Sequence, residues 1–358
     1  MKGLLALLLF IALAMLSWGV YGPVLQLGKQ DMQGSALRPF ICVGMAYFLI
    51  AVLAPGALLK MTGEAGRWSS SGIFWSLAAG AAGAIGALGV ILALLYHGSP
   101  VYVMPLVFGC APVVNTFLTM YWARSYKQAN PIFFAGLILV IAGAMIVLFF
   151  RPHAHPGTDK VAVQQSESPA TEDAAKESAS IATHPARDRL LVFVFTAMTA
   201  LAWGVYGPTL HRGQTAMAGS RLRPFLCVGM AYFLIAVIVP TLLLMNWKEP
   251  GEFTFSGSAW SLAGGAAGAL GALGIIMAFN FGGKPIFVMP LVFGGAPVIN
   301  TFVSVIQAGN YDQLHPMFYA GLIVVAAGAV TVLVFAPKGG KHPSPETPHE
   351  PTPQAAGV

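Results

Sequence analysis

Residues Cys42 to Val52 read CVGMAYFLIAV, and Cys227 to Val237 read the same letters in the same order. Outward from that pair the correspondence continues without a gap, at a constant offset of 185 residues, from about Leu16 to Pro152. Trp18-Gly19-Val20-Tyr21-Gly22-Pro23 recurs as Trp203 to Pro208, and Leu37-Arg38-Pro39-Phe40 as Leu222 to Phe225. Val103 to Gly109 (VMPLVFG) recurs as Val288 to Gly294. The chain is therefore an internal duplication. Met1 to Phe10 has the look of a secretion signal. Its continuation, the Trp18 to Pro23 motif, reappears deep inside the chain, so the first apolar segment is expected to be mature structure.

Both copies are apolar to a degree that soluble domains do not reach. Of 358 residues, 56% are hydrophobic and 9% charged, against about 45–50% and about 25% in ordinary globular chains. Mean hydropathy is +0.72. Three cysteines exclude a disulfide scaffold, and the apolar content excludes disorder over most of the length. The expectation is an all-α membrane protein with ten transmembrane helices arranged as two inverted five-helix repeats. Apolar runs of bilayer length lie near 4–26, 39–59, 72–95, 100–122 and 131–150, then near 190–210, 224–245, 257–281, 285–307 and 316–336. The repeats occupy 1–150 and 189–337. The polar stretch 151–188 between them is expected to be a disordered linker, and 338–358 a disordered tail. His153, His155 and His184 in the linker lack the spacing of a metal site.

Five spans per copy is an odd number, so the second copy must enter the bilayer upside down relative to the first. The loop charges agree. Lys60 and Arg67 correspond to Met245 and Glu252, and Arg124 and Lys127 to Gly309 and Asp312. Conversely, Arg212 and Arg221 correspond to Leu27 and Ala36. Cations thus gather on the side of the N-terminus, with Lys29 and Lys248 against the trend. The positive-inside rule then places both termini in the cytoplasm and the linker outside, in a plasma or inner cell membrane. The net charge of +6 reads as topology information, and no nucleic-acid partner is expected.

Inverted repeats place a substrate near the midplane, between the halves. Candidates are polar or aromatic residues inside spans and present in both copies. Asn115 and Asn300, with Thr116 and Thr301 beside them, share a helical face with Phe108 and Pro112, or Phe293 and Pro297. Pro105 and Pro112 free the carbonyls of Val101 and Phe108. These amides either contact substrate or bond neighbouring helices. Trp18, Tyr21, Trp203 and Tyr206 precede a Gly-Pro step read as a break and hinge. Their rings either stack on a sugar or heterocycle or anchor at the interface. Tyr47 and Tyr232 lie mid-span, where a hydroxyl needs a partner. Arg38 and Arg223, one on each face, either draw anionic substrates or reach for headgroups. Gly80, Gly83, Gly86 and Gly89, matched by Gly265, Gly268, Gly271 and Gly274, read as close helix packing. The copies also differ, at Leu95 against Asn280, Trp122 against Gln307 and Gln26 against His211.

All thirteen acidic residues fall outside the expected spans. That argues against exchange of cationic drugs for protons, which needs a carboxylate within the membrane. No GxxxxGK[ST] loop is present. No catalytic, metal or cofactor signature stands out; His97, His211 and His315 sit at span ends. An enzyme is not expected.

The two-by-five organisation resembles the drug/metabolite transporter superfamily in its ten-helix EamA-like branch. The resemblance is carried by Ala93 to Phe150 and Ala278 to Phe335. Each stretch has a short hairpin, a helix with a central proline (Pro112, Pro297) and a glycine-containing last helix. The Gly-Glu pair frequent in that branch is replaced by Trp122-Ala123-Arg124-Ser125 and Gln307-Ala308-Gly309-Asn310. The resemblance implies a secondary transporter of small organic metabolites working by alternating access. The substrate is expected to be neutral or anionic, with a sugar or heterocycle admitted. The alternatives are a membrane-embedded lipid- or isoprenoid-processing enzyme and a non-transporting sensor. Expected partners are the small-molecule substrate and the lipid bilayer, and a homodimer is left open.

Overall fold

The computed structural model describes residues 2–128, 130–150, 185–246, 249–309, 314–335 and 337. Among them every regular element is helical. The first copy comprises α1 (Lys2–Asp31), α2 (Leu37–Tyr47), α3 (Ala54–Thr62), α4 (Ser70–Leu95), α5 (Pro100–Ala123) and α6 (Pro131–Phe149). The second comprises α7 (Pro185–Ala216), α8 (Leu222–Tyr232), α9 (Val239–Asn246), α10 (Phe255–Asn280), α11 (Pro285–Ala308) and α12 (Pro316–Phe335). One wide π turn joins α2 to α3 (Phe48–Leu53), and its equivalent joins α8 to α9 (Phe233–Ile238). Each such triplet is therefore one long helix with a bulge.

Helix ends follow local chemistry. Ser69 and Thr254 accept from the backbone N–H of Gly72 and Gly257, each at 3.0 Å, and start α4 and α10. Pro100 and Pro285 stand at the first position of α5 and α11, where no N–H is needed. Among the described residues eight helices are long and apolar enough to cross a membrane. Helices α6 and α12 lie where the fifth and tenth spans are expected, but their apolar stretches, Pro131–Gly143 and Pro316–Val332, are shorter than those eight.

Two expectations change. The Gly22-Pro23 and Gly207-Pro208 steps do not break their helices; α1 and α7 continue through them to Asp31 and Ala216. The physical reason is the grip on both sides. Gly19 and Gly22 lie against Ile299 and Met104, and Gly28 lies against Ser261. A helix held along its whole length tolerates one missing bond. Residues 185–188, assigned to the polar stretch by composition, are the first turn of α7, where Asp188 meets the positive end of the helix dipole. The rest of the linker with its histidines, Lys248, Asp312 and the tail from 338 lie outside the described residues.

The copies interlock by exchange. Helix α1 packs on α10 of the other copy, and α7 on α4. Equivalent helices meet in opposite chain directions. Asn115 of α5 reaches Pro285 at the start of α11, while Asn300 of α11 reaches Pro100 at the start of α5. Gly44 meets Val237 and Gly229 meets Val52 in the same reciprocal way, as do Gly143 with Val325 and Gly328 with Val140. The glycine rows allow this approach. A β-carbon on Gly80 or Gly265 would stand 2.7 Å from the Cα of Val228 or Val43, so backbone lies against backbone. The close-packing reading of those rows describes what they do.

Candidate functional site

Where the exchanged helices cross, eight residues enclose a cavity of about 20 Å³: Trp18, Tyr21, Tyr47 and Gly268 with Trp203, Tyr206, Tyr232 and Gly83. Every member has its equivalent from the other copy. The space admits roughly one water. Trp18 and Trp203 stack at 5.9 Å between centroids, and each stacks in turn on Phe293 or Phe108 at 5.8 Å. Phe108 and Phe293 close the ring at 5.9 Å. Tyr206 and Tyr21 meet the indoles edge-on at 6.0 Å. Tyr47 and Tyr232 lie flat on one another, 3.6 Å apart and within 3° of parallel.

The six aromatic candidates are thus brought together, and the interfacial-anchor alternative for the tryptophans does not describe them. Trp18 and Trp203 are 9% and 8% exposed. Their indole N–H groups donate at 3.2 Å to the carbonyls of Gly268 and Gly83. The absence of a side chain at Gly271 and Gly86, where a β-carbon would run into Trp18 and Trp203, makes this possible. Helices α1 and α7 run past the expected span ends at 26 and 210, so Trp18 and Trp203 lie farther from the helix ends than those spans imply.

Asn115 and Asn300 take the bridging role. Their amides donate across the copies to the carbonyls of Pro285 (3.1 Å) and Pro100 (3.0 Å), and neither stands in the cavity wall. Among the described residues their Oδ1 atoms, and the hydroxyls of Thr116 and Thr301, are buried without a partner. Interhelical bonds of this kind contribute about 0.6 kcal/mol in membranes. Asn115→Ala and Asn300→Ala should each lower thermal stability by under about 2 kcal/mol and leave ligand affinity unchanged, as a thermal-shift titration would read directly.

Arg38 and Arg223 do not line the cavity. Each is held by a glutamate from the other copy. Glu249 bonds the Ser35 hydroxyl (2.5 Å), the N–H groups of Ala36 and Leu37 at the start of α2, and Arg38 at 3.3 Å. Its equivalent Glu64 bonds the Ser220 hydroxyl (2.7 Å), the N–H groups of Arg221 and Leu222, Arg221 Nε at 3.0 Å and Arg223 at 3.6 Å. A carboxylate at a helix start satisfies open N–H groups and the dipole together. Glu249 balances Arg38 one to one, whereas Glu64 is shared between Arg221 and Arg223. Two matched latches therefore tie copy to copy, one beside the start of α2 and one beside the start of α8.

The Glu64 latch has the stronger electrostatics. Burial opposes its ionisation, but the Ser220 hydroxyl, Arg221 and the Leu222 N–H outweigh that and hold the carboxyl below the usual range. Its stabilisation is then complete above the unfolded glutamate value of about 4.3 and is lost as pH falls through the lowered native value. Thermal unfolding of Glu64→Gln against the parent should show a constant gap above about pH 5 that closes at lower pH.

The latches were missed from the sequence, although a signal was present. Glu64 and Glu249 are the one pair of acidic residues that coincide at the 185-residue offset. Two copy differences also acquire reasons. Arg212 of α7 lies 3.8 Å over the Trp122 ring and 5.0 Å over Trp75; where Leu27 replaces the arginine, Gln307 replaces the tryptophan. Lys29, which opposed the charge trend, donates to the carbonyl of Leu94 at the end of α4 (2.7 Å), where a cation suits the helix dipole.

No protein-family model matches the chain, and no curated protein matches it. Among solved structures, it is similar to one whose title reads only "Crystal structure of protein", with 16% identity and a TM-score of 0.56. That match covers 93% of this chain and 98% of the other. At this identity the likeness concerns the fold alone.

Proposed function

We propose that this chain is a secondary transporter of small neutral or anionic organic metabolites. It works by alternating access between two five-helix bundles of opposite orientation, ten spans in all, in a cell membrane, as in the drug/metabolite transporter superfamily. The observation that carries the reading is the closed aromatic cavity between interlocked copies, flanked by two equivalent copy-to-copy latches. The opposed chain directions of α5 and α11 support the inverted arrangement, and such a seam is where inverted-repeat carriers bind substrate.

In this reading the present form is closed on both faces. Release of the Glu249 latch would let α2 move from α10 and open the cavity to one side; release of the Glu64 latch would open it to the other. Each latch joins a loop of one copy to a helix start of the other, so a rocking motion of the bundles breaks one and keeps its equivalent. No charged side chain lines the cavity, so a cation would find no counter-charge there. The test is solute uptake into proteoliposomes over a panel of neutral, anionic and cationic metabolites. Saturable flux of a neutral or anionic member is expected; flux of none, with folded protein present, contradicts the proposal.

A further inference from the structure

We infer that the cavity, once Tyr47 and Tyr232 part and widen it beyond its present room for about one water, takes an uncharged planar heterocycle of one or two rings, bound by stacking and by the hydroxyls of Tyr21 and Tyr206. This rests on the transporter reading only for its consequence, not for its geometry.

Three observations lead there. The first is the distribution of hydrogen-bonding capacity. Both indole N–H groups of the cavity are already used by the carbonyls of Gly268 and Gly83. The hydroxyls of Tyr21 and Tyr206 are different. Both residues are 3% exposed and line the space, and among the described residues neither hydroxyl has a partner. A buried hydroxyl without a partner costs about 1–3 kcal/mol, so a ligand that satisfies both regains that cost.

The second is what the wall lacks. A sugar presents a hydroxyl on nearly every carbon, and each must be matched when it leaves water. Two free tyrosine hydroxyls cannot match them. They can match the two polar edges of a flat heterocycle, whose faces need only aromatic neighbours.

The third is the Tyr47–Tyr232 pair. At 3.6 Å and 3° the rings are in full face contact. A guest ring between them requires a separation of about 7 Å, two contact spacings. Each tyrosine is the last residue before a π turn, at Phe48–Leu53 and Phe233–Ile238. A π turn carries a surplus residue inside a helix, which permits a local shift without unwinding. The pair fills the place that a flat ligand would take.

Binding is measured on the purified full chain by tryptophan fluorescence and thermal shift. The probes are uracil and adenine (uncharged, planar), glucose (polyhydroxylated), benzoate (planar, anionic) and choline (cationic). Uracil or adenine should quench fluorescence and raise the melting temperature. The double variant Tyr21→Phe, Tyr206→Phe keeps all rings and should bind about tenfold more weakly. Its unliganded melting temperature should equal or exceed the parent's, because two unpartnered hydroxyls are gone; a misfolded variant would show itself there. A response to glucose, benzoate or choline without one to uracil or adenine overturns the inference, as does no response to any probe. Unchanged affinity in the double variant overturns it too. Proteoliposome flux of the same probes separates the two claims. Glucose flux without heterocycle binding leaves the transporter standing and removes this site; heterocycle binding without flux does the reverse.

Discussion

Gly86→Ala and Gly271→Ala should each prevent the closed cavity from forming. A β-carbon at Gly86 would fall inside the van der Waals shell of Cδ1 and Nε1 of Trp203, and one at Gly271 would do the same to Trp18. Neither indole can step aside. Its N–H is bonded to the same helix one turn away, through Gly83 or Gly268, and its other face stacks on the second tryptophan. Overpacking at a rigid contact costs about 1–3 kcal/mol, occasionally more, and here it also separates α4 from α7 or α10 from α1. The expected outcome is a melting temperature lower by several degrees and loss of ligand binding. Gly264→Ala is the control, since its β-carbon would meet nothing closer than 3.6 Å. Trp203→Phe, with its smaller ring, should restore part of the stability lost in Gly86→Ala. Equal behaviour of the Gly86 and Gly264 variants would contradict the packing account.

The second large effect concerns the latches, and it is asymmetric. Glu64→Gln leaves Arg221 and Arg223 without their carboxylate, and the Arg223 side chain is only 13% exposed. Glu249→Gln leaves Arg38 alone. Hydrogen bonds to charged groups contribute about 1.5–3 kcal/mol each, reduced here because the Arg221 side chain is 43% exposed. Glu64→Gln should therefore destabilise more than Glu249→Gln. In the transport reading the variants also open opposite faces. Reactive-thiol labelling of a cysteine placed at Tyr206 should increase from the Glu64 side in the first variant, and labelling at Tyr21 from the Glu249 side in the second. If both variants expose the same face, the latches are not gates.

The duplication and the helical, bilayer-length character of the chain were legible in the sequence, because a fixed offset and long apolar runs need no tertiary knowledge. The six cavity aromatics were legible too, since matched rings inside matched helices stand out. The exchange was not. An offset states which residues are equivalent and not which ones touch, so nothing in the letters paired α1 with α10. For the same reason Asn115 was read beside carbonyls freed on its own helix, whereas its partner is Pro285 of the other copy. Glu64 and Glu249 were passed over because loop carboxylates ordinarily face water. Their burial follows from where the opposite copy brings Ser220 or Ser35. The π turns leave no local mark, since the same FLIAV letters suit an α-helix equally well.

Everything functional in this account depends on the copies crossing the membrane in opposite senses, and equivalent exposed residues report that most directly. Arg67 and Glu252 are exposed and coincide at the 185-residue offset. Single cysteines at these two positions, in a chain whose Cys42, Cys110 and Cys227 are replaced, can be labelled in intact cells with a membrane-impermeant maleimide. The account predicts labelling of residue 252 from outside and of residue 67 only after permeabilisation. Labelling of both positions from one side would contradict it.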